Sequence, residues 1–323
     1  MAKKNILFIN GIPDDACIRV DKFNQNGNFE WGGSGSSNLS DFLQNDVFDR
    51  TTIIFDTKQG QILPRIKINA VFNQVSDADS HKIVLEKLQE FYRSVSAHMP
   101  FYNPPANIMK TTRDNIYQTL KDIPRLNVPK TIKIQPRSPS DIHQIIKDER
   151  FEYPVIFRQA GDHGGISTIR VDGETEQFNA FALDGRDYYL TQFVNYLNSD
   201  GVYAKYRLII INGEVFIRHA IFGQEWMVHA GSQIEKKRGE EYKNLVAKRF
   251  NEEIKPNIQP IITEMYNRLG LDYFGMDCNI DNEMNILVFE VNANMNVFTI
   301  SKDSIFKPHI DAARQALIKM LAA

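Results

Sequence analysis

The sequence predicts an α/β protein in which a leading α/β domain is followed by a second, larger α/β unit. Within about the first hundred residues, short apolar runs indicate buried strands at Ile6–Ile9, Thr51–Phe55 and Ile68–Phe72. A helical pattern follows at Asp79–His98, where apolar residues recur every three or four positions. Strands that alternate with helices are typical of βαβ units, so we expect a parallel sheet.

A proline-containing segment, Asn103-Pro104-Pro105, marks the predicted end of the leading domain. Each proline biases the residue before it away from helix, so the chain is expected to be extended there. The 323 residues are enough for two domains. We therefore predict an N-terminal α/β domain over residues 1–105 and a second domain over residues 106–323.

Charge, apolar content and cysteine usage limit the class of protein. A net charge of -2 provides no electrostatic footprint for DNA or RNA. No apolar stretch approaches the roughly 20 residues of a membrane helix, and Ile6–Ile9 is too short for a signal-peptide core. Cys17 and Cys278 are far apart in the sequence, which fits a reducing compartment. We expect a cytoplasmic protein with no nucleic-acid or membrane partner.

Beyond residue 105 the patterns predict helices and strands in mixed order. Ser138-Pro139-Ser140-Asp141 has the cap residue, first-turn proline and acidic third position of a helix start. Asn212-Gly213 is typical of a tight β-hairpin turn. The other predicted elements are helices at Thr112–Ile123, at Pro256–Gly270 and from about His309, strands at Thr131–Ile134, Tyr153–Gln159, Ser167–Val171, Tyr188–Val194, Ala204–Ile211, Glu214–Phe222, Gly275–Ile280 and Ile286–Asn294, a loop at Asn24–Ser40, and a solvated turn at Lys236-Lys237-Arg238.

The second predicted hairpin places two acidic side chains opposite each other. A four-residue loop at 282–285 pairs Asp277 with Glu290, and alternation along the strand places Ile286, Val288, Glu290 and Asn292 on one face. Two carboxylates across a ladder repel each other, and a divalent cation removes that penalty. Two carboxylates and an amide are oxygen ligands that suit Mg²⁺. The alternative is a shifted register in which these polar residues face solvent.

In the first hairpin, Arg207 and Arg218 are predicted to face each other. Counting outward from the turn at Asn212-Gly213 pairs them directly. Two facing guanidinium groups are unfavourable unless an anion lies between them, so the pattern predicts a phosphate or carboxylate site. On this interpretation, removing Arg207 should leave the empty protein as stable or slightly more stable. The alternative is a pair of edge-strand arginines that reach water separately.

A glycine-rich segment, Gly161–Gly165, joins two of the predicted strands. Glycines let backbone N–H groups approach an anion closely, as they do in phosphate-binding loops. Arg158 lies just before this segment and can reach the same anion. An ordinary β-turn is the alternative interpretation.

In their order along the chain, these motifs resemble those of the ATP-grasp superfamily, which includes glutathione synthetase, D-alanine–D-alanine ligase and ribosomal-protein glutamate ligases. The resemblance covers roughly residues 103–296. Its most specific part is Gly275-Met276-Asp277 followed by Phe289–Asn294, which is similar to the family's metal-binding Asp and Glu-x-Asn. The Mg²⁺ ligands that the resemblance implies are Asp277, Glu290 and Asn292.

The resemblance also implies an ATP site. Arg158 replaces a lysine of the family and presents a planar fork instead of a point charge. Gln192 replaces an acid that is common at the hinge that holds adenine, and Asp200 is a candidate for the ribose-binding acid. The ATP-binding residues that the resemblance implies are Lys110, Arg158, Gly164, Gly165, Ser167, Gln192, Phe193 and Val194.

The implied architecture is a leading α/β domain followed by a two-lobed ATP-grasp core, with a central lid subdomain at about 125–195. The implied activity is ATP-dependent ligation, in which a substrate carboxylate forms an acyl phosphate that a nucleophile captures. The implied partners are a small-molecule or peptide carboxylate and a nucleophilic acceptor, and the oligomeric state is left open. A small-molecule kinase and a nucleotide-binding regulator without turnover are alternatives. The catalytic residues that the resemblance implies are Arg207, Arg218 and Asn294.

Overall fold

The structure, a computed structural model, describes residues 3–23, 29–32, 39–43, 47–58, 66–162, 165, 167–229, 231, 234–295, 297–299 and 304–323. Its strands are β1 (Lys4–Gly11), β2 (Arg19–Phe23), β3 (Phe29–Gly32), β4 (Phe48–Phe55), β5 (Ala70–Asn73), β6 (Phe101–Tyr102), β7 (Leu126–Asn127), β8 (Thr131–Ile134), β9 (Val155–Gln159), β10 (Thr168–Val171), β11 (Tyr188–Gln192), β12 (Tyr203–Ile211), β13 (Glu214–Gly223), β14 (Tyr273–Ile280) and β15 (Ile286–Ala293). Its α-helices are α1 (Lys82–Val95), α2 (Pro105–Ile108), α3 (Arg113–Leu120), α4 (Pro139–Asp148), α5 (Lys236–Arg249), α6 (Lys255–Leu269) and α7 (Lys307–Ala322), with short 3₁₀ turns at Leu39–Phe42 and Met109–Thr111 and a π-turn at Phe250–Ile254. None of the helices in the described ranges is both long and apolar enough to cross a bilayer.

The N-terminal sheet has the strand order β4-β1-β5-β6 and is parallel throughout, as the sequence predicts. Its central strand β1 carries the buried run Ile6–Ile9, which suits a strand covered on both faces. The helix predicted to begin at Asp79 begins at Lys82 instead. Asp14 accepts the backbone N–H groups of Lys82 and Ile83 at 3.0 Å each and so supplies the cap from a distant loop. The segment around Asp79 is therefore left as a loop.

The central sheet has the order β10-β9-β11-β8, is antiparallel, and has an apolar core of its own. Phe157, Phe178 and Tyr188 are buried together in this core with residues of α4. The predicted helix start is confirmed, because Ser138 and Asp141 form a reciprocal capping box ahead of α4. All residues of this core lie between Ile134 and Leu190.

By contrast, the N-terminal and C-terminal sheets share their apolar cores. Phe8 lies in one cluster with Ile209, and Leu7 lies in another with Leu208. Burial of apolar surface is the main force that holds sheets together, so these two sheets are coupled by packing. The buried residues of the central sheet's core belong to neither of these clusters.

The C-terminal sheet has the order β13-β12-β14-β15-β7. Pairing in its first hairpin follows the prediction from Ile211 opposite Glu214 to Leu208 opposite Ile217, and then a β-bulge shifts the register. Arg207 consequently pairs with His219, and the predicted pairing of Arg207 with Arg218 is wrong. A bulge inserts one extra residue into a strand, and counting outward from a turn does not reveal it.

The second hairpin contains a bulge as well. Its loop is one residue longer than predicted, because the Asp281 carboxylate accepts the backbone N–H of Asn285 at 2.8 Å and Ile280 pairs with Ile286. A register shift beside Asp277 then restores the predicted pairing of Asp277 with Glu290. The predicted shared face is wrong, however, because the shift leaves Val288 in the core while Glu290 and Asn292 turn to a partly exposed face.

Two further features depart from the predicted elements. Lys236-Lys237-Arg238 is the first turn of α5, and its two lysines are exposed to solvent as predicted. Charged residues dominate α5, so its sequence carries a weak apolar stripe. The stretch Asn24–Ser40, predicted as a loop, contains the short strand β3, which pairs with β2.

A network of buried amides joins the N-terminal sheet to β15. Asn103 donates to the side-chain oxygen of Asn294 at 2.7 Å and to the Tyr273 carbonyl at 2.8 Å. Asn294 in turn donates to the Val75 carbonyl at 2.7 Å and is only 1% exposed. Both ends of the Asn294 side chain are thus engaged by the N-terminal half of the chain. The catalytic role implied for Asn294 is corrected to a structural one.

We expect Asn294→Ala to lower the free energy of unfolding by about 2–4 kcal/mol, because it leaves buried partners unpaired. The residue also adopts a left-handed backbone with φ of 58°, which alanine tolerates poorly. Asn294→Gly removes the same hydrogen bonds without that strain and should cost less. Denaturant unfolding of both variants beside the exposed-residue control Asn115→Ala measures the difference. An Asn294→Ala protein as stable as the control would contradict the network's role.

Candidate active site

A cavity of about 240 Å³ lies between the central and C-terminal sheets. Four cations and two carboxylates line it, so its charged residues carry an excess of two positive charges. A positively charged, partly enclosed cleft attracts and holds an anion. The charged lining residues are Arg113, Arg158, Lys205, Arg207, Asp277 and Glu290.

Arg207 and Asp277 form a two-pronged ion pair at one end of this cavity. Arg207 Nε and Nη2 donate to the two Asp277 carboxylate oxygens at 2.7 and 2.9 Å, and Lys205 Nζ lies 3.4 Å from the same carboxylate. Although burial would lower the pKa of Arg207, the hydrogen bonds and charge of Asp277 raise it. The anion that compensates Arg207 in the folded chain is therefore Asp277, on the neighbouring strand β14.

Because Arg207 pairs with Asp277, its removal should destabilise the empty protein, which is the opposite of the effect expected from the hairpin alone. Arg207→Ala should lower the free energy of unfolding by about 1–3 kcal/mol, because the Asp277 side chain is only 6% exposed and loses its two-pronged partner. Arg207→Lys should recover part of the loss. The matched control Arg249→Ala removes an exposed ion pair with Glu253 and should change stability by at most about 0.5 kcal/mol. Chemical unfolding that ranks the two alanine variants equally would contradict the inference.

Glu290 lies directly across the sheet from Asp277 and beside Asn292. Its carboxylate accepts a hydrogen bond from the Asn292 amide at 2.7 Å and lies 3.2 Å from Arg113 Nη2. Arg113 was missed as a site residue, although one signal was available: it is the first residue of α3. A cation in the first turn of a helix opposes the helix dipole, which suggests that it serves another purpose.

Arg158 reaches the cavity from β9 and lacks a full set of partners. Its Nη2 donates to the Asp162 carbonyl, but its buried Nε has no partner among the described residues. The side-chain hydroxyls of Thr112, Ser167 and Thr168 are likewise buried without a partner there. Burial and the charge of Arg113 lower the pKa of Arg158 to about 10, so it is still a cation at neutral pH. Unpaired buried donors are costly, so this cluster is suited to accept an anionic ligand.

Gly165 lines the same cavity with a left-handed backbone, φ of 79°. A Cβ at this position would lie 3.1 Å from the sulfur of Met227, so only glycine fits without a shift. Ser167, with its unpaired hydroxyl, is two residues further on. Gly164 lies outside the described residues.

The predicted hinge residues Gln192, Phe193 and Val194 all line the cavity. The Gln192 side chain is occupied, because it accepts from the Glu152 N–H at 3.0 Å and donates to the Glu152 carbonyl at 2.8 Å. Phe193 meets Trp226 edge to face, with ring centroids 5.7 Å apart. Trp226 also borders the cavity and adds apolar surface to its lining.

Three predicted residues are placed elsewhere. Lys110 does not line the cavity between the central and C-terminal sheets; its ammonium group donates at 3.1 Å to each of the last two carbonyls of α6, where a cation suits the helix dipole. Arg218 donates to His219 Nδ1 at 3.1 Å and to the Thr299 carbonyl at 2.5 Å, and it lies outside the cavity lining. Asp200 accepts the Tyr242 hydroxyl at 2.7 Å and lies outside the cavity lining.

No family model matches the chain, and no curated protein matches it significantly. Solved structures do match. D-alanine–D-alanine ligase from Bacillus anthracis complexed with ATP covers 99% of this chain and 95% of its own, with a TM-score of 0.54 and 12% identity. A RimK domain protein ATP-grasp from Sphaerobacter thermophilus covers 99% and 100%, with a TM-score of 0.51 and 12% identity. The macrocyclase MdnC of Microcystis aeruginosa, bound to its precursor peptide MdnA, covers 99% and 99%, with a TM-score of 0.53 and 12% identity.

The chain has the ATP-grasp fold. The matches extend over nearly the whole chain, so the leading α/β part belongs to the likeness as well as the two later sheets. At this level of identity the likeness establishes the fold alone, and the reaction depends on the side chains of the site. In this ATP-grasp fold, those side chains are the cation-rich lining and the facing pair Asp277 and Glu290.

The residues of this ATP-grasp site fit a magnesium ion by the chemistry of their donors. Asp277, Glu290 and Asn292 provide two carboxylates and one amide, all oxygen donors of the kind that Mg²⁺ prefers. Within the described ranges, no site gathers three acidic, histidine or cysteine side chains that could hold a metal ion. Each carboxylate also forms an ion pair with an arginine, Glu290 with Arg113 and Asp277 with Arg207. A bound metal ion would therefore interact with carboxylates that already have a cationic partner.

Proposed function

We propose that this chain is an ATP-dependent ligase that joins a carboxylate to a nucleophile through an acyl phosphate. The observation that carries the proposal is that the unpaired buried donors of Arg158 and Thr168 belong to residues that line one cavity together with the acidic pair Asp277 and Glu290. Donors without acceptors on one side and carboxylates on the other suit a metal-bound polyphosphate placed between them.

The excess positive charge of the cavity supports a nucleoside triphosphate as the anion. Asp277, Glu290 and Asn292 would hold Mg²⁺, which when bound neutralises phosphate charge and orients the transferred group. Arg158 would contact the phosphates in place of the family's lysine. At the other end of the cavity, Phe193, Val194 and Trp226 supply the apolar walls that a planar base requires.

In the reaction, an oxygen of the substrate carboxylate attacks the γ-phosphorus as its bond to the bridging oxygen breaks and ADP leaves. The acceptor nucleophile then attacks the carbonyl carbon of the acyl phosphate, which expels inorganic phosphate and releases the nucleophile's proton. Charge on the transferred phosphoryl group is stabilised by pre-placed cations, so no covalent enzyme nucleophile is needed. Arg158, Arg113 and Arg207 are the cations that the described cavity offers for this purpose.

The names of two similar structures suggest which substrate classes to test first. MdnC was solved with a precursor peptide, and D-alanine–D-alanine ligase is named for the ligation of an amino acid. We propose a small-molecule or peptide carboxylate with an amine or other nucleophile as acceptor. The division into residues 1–105 and 106–323, a lid at about 125–195, and a cytoplasmic location stay predictions.

The deciding experiment is a screen for ADP release with amino acids and short peptides, followed by ¹⁸O labelling of the active carboxylate. Transfer of one ¹⁸O atom into inorganic phosphate is expected, because the acyl phosphate keeps a carboxylate oxygen when it is displaced. A phosphorylated alcohol would instead identify a kinase. Binding of ATP with no ADP release under any substrate mixture would indicate a regulator.

A further inference from the structure

Asp79 connects the N-terminal part of the molecule to the central sheet. Its carboxylate accepts the Tyr189 hydroxyl at 2.7 and 2.8 Å and lies 2.7 Å from Lys133 Nζ. The Asp79 side chain is 13% exposed and Tyr189 is 1% exposed, so these bonds are largely shielded from water. Shielded hydrogen bonds to a charged group are among the stronger polar contacts in proteins.

The loop that presents Asp79 is held in shape by its own contacts. Asp77 accepts the Asp79 backbone N–H at 2.9 Å and the Ser80 hydroxyl at 2.6 Å. The loop precedes α1, whose first turn is capped by Asp14. Asp79 is therefore offered to the central sheet from an organised platform.

On the other side of the contact, a row of paired residues crosses the central sheet. Lys133 on β8 pairs with Tyr189 on β11, Tyr189 pairs with Arg158 on β9, and Arg158 pairs with Thr168 on β10. Residues directly opposite each other in adjacent strands project from the same face. The two anchor points of Asp79 thus stand in the same row as the unpaired donors of Arg158 and Thr168.

The central sheet depends on such polar contacts because its apolar core is separate. The residues of that core all lie between Ile134 and Leu190, whereas the N-terminal and C-terminal sheets share theirs. A unit with its own core can move as a body, and a polar contact at its surface can set its position. Burial raises the pKa of Tyr189, and the charge of Asp79 raises it further. The Tyr189 hydroxyl therefore stays protonated and can donate to Asp79.

We propose that Asp79 is a positioning residue that holds the central sheet against the N-terminal loop and thereby sets the place of Arg158 over the cavity. The part of this inference that concerns nucleotide rests on the proposed function; the part that concerns the position of the central sheet does not. Loss of the contact should let the sheet swing away and leave Arg158 and Thr168 further from the C-terminal carboxylates.

The test compares Asp79→Ala, Tyr189→Phe and their double variant with Asp184→Ala. Asp184 is a matched control because it also pairs with a cation, Arg186, but within the central unit and at its exposed surface. Nitroxide labels at the exposed positions Ala97→Cys and Ala180→Cys, in a Cys17→Ser background, report the distance between the N-terminal part and the central sheet. Pulsed electron paramagnetic resonance without nucleotide should give one narrow distribution of label-to-label distances for the parent and for the control. For Asp79→Ala the distribution should be broader and centred at a longer distance.

A non-hydrolysable ATP analogue provides the second readout. Asp79→Ala and Tyr189→Phe should each weaken the affinity for the analogue about tenfold, because a smaller fraction of the protein has Arg158 in the position that binds the analogue. The double variant should bind the analogue no more weakly than the single variant with the lower affinity, because both changes remove the same contact. Saturating analogue should narrow the label distance of Asp79→Ala again. A residue that merely stabilises the fold would lower the melting temperature without changing that distance.

Three outcomes separate the inferences. A label distance in Asp79→Ala equal to that of Asp184→Ala overturns the positioning role. A changed distance with no binding of the analogue by any protein, parent included, supports the positioning role and overturns the proposed function. If Asp79→Ala does not fold, Asp79→Asn, which keeps the shape and loses the charge, decides by the same distance measurement.

Discussion

Glu290→Gln is expected to fold normally and to lose ATP turnover by a factor of about 10² or more. The side chain keeps its size and a carbonyl oxygen for Asn292 and Arg113, so the hydrogen bonds around it can persist. The charge that would hold Mg²⁺ opposite Asp277 is lost, and phosphoryl transfer depends chiefly on such charge neutralisation. ADP release measured over a range of magnesium concentrations, with an active substrate pair from the screen, reports the loss.

The matched control is Glu283→Gln, an exposed acid in the loop of the same hairpin. It should leave turnover and its magnesium dependence unchanged, because its side chain is remote from Asp277 along the strand. Circular dichroism and melting of both variants separate a folding defect from a chemical one. Normal ADP release by Glu290→Gln at saturating magnesium would remove this residue from the metal site.

Arg158→Ala should have a comparable effect on turnover, a loss of about 10²-fold, with no loss of stability. The guanidinium is buried with an unpaired Nε and lies near Arg113, and these costs offset its hydrogen bond to the Asp162 carbonyl and its attraction to Glu290. With its pKa lowered to about 10, the group stays cationic at neutral pH and is available to a phosphate. Arg158→Lys should recover part of the activity, since lysine retains the charge without the planar fork.

The expectation for Arg158→Ala, lost turnover with unchanged stability, is tested by measuring the melting temperature, the affinity for the ATP analogue and ADP release. The control Arg186→Ala removes an exposed arginine of the same sheet that pairs with Asp184, and it should behave as the parent does. If Arg158→Ala instead destabilises the protein and turns over ATP normally, Arg158 is a structural residue and the anion site lies elsewhere.

The pairing of Asp277 with Glu290 was predicted correctly, although the predicted loop length was wrong. The predicted four-residue loop was one residue too short, and the bulge at Phe289 compensated for that error. In the first hairpin nothing compensated, and the bulge beside Arg207 replaced Arg218 by His219 as its partner. Turn chemistry is local, whereas a bulge is stabilised by what packs on the strand, so register beyond it is not encoded near the turn.

The sequence alone was enough to predict the parallel N-terminal sheet, the capped start of α4 at Ser138 and the Asn212-Gly213 turn. Each of these follows from apolar periodicity or from side chains that act within a few residues of the backbone they control.

Only the tertiary structure decided which groups meet across the fold. It paired Arg207 with Asp277 on a third strand, brought Arg113 to the cavity in place of Lys110, and enclosed Asn294 among amides of the N-terminal half. Such partners are far apart in the chain, and their meeting depends on how whole sheets pack on shared apolar cores. Short-range patterns carry no information on that packing, because its free energy comes from many distant contacts together.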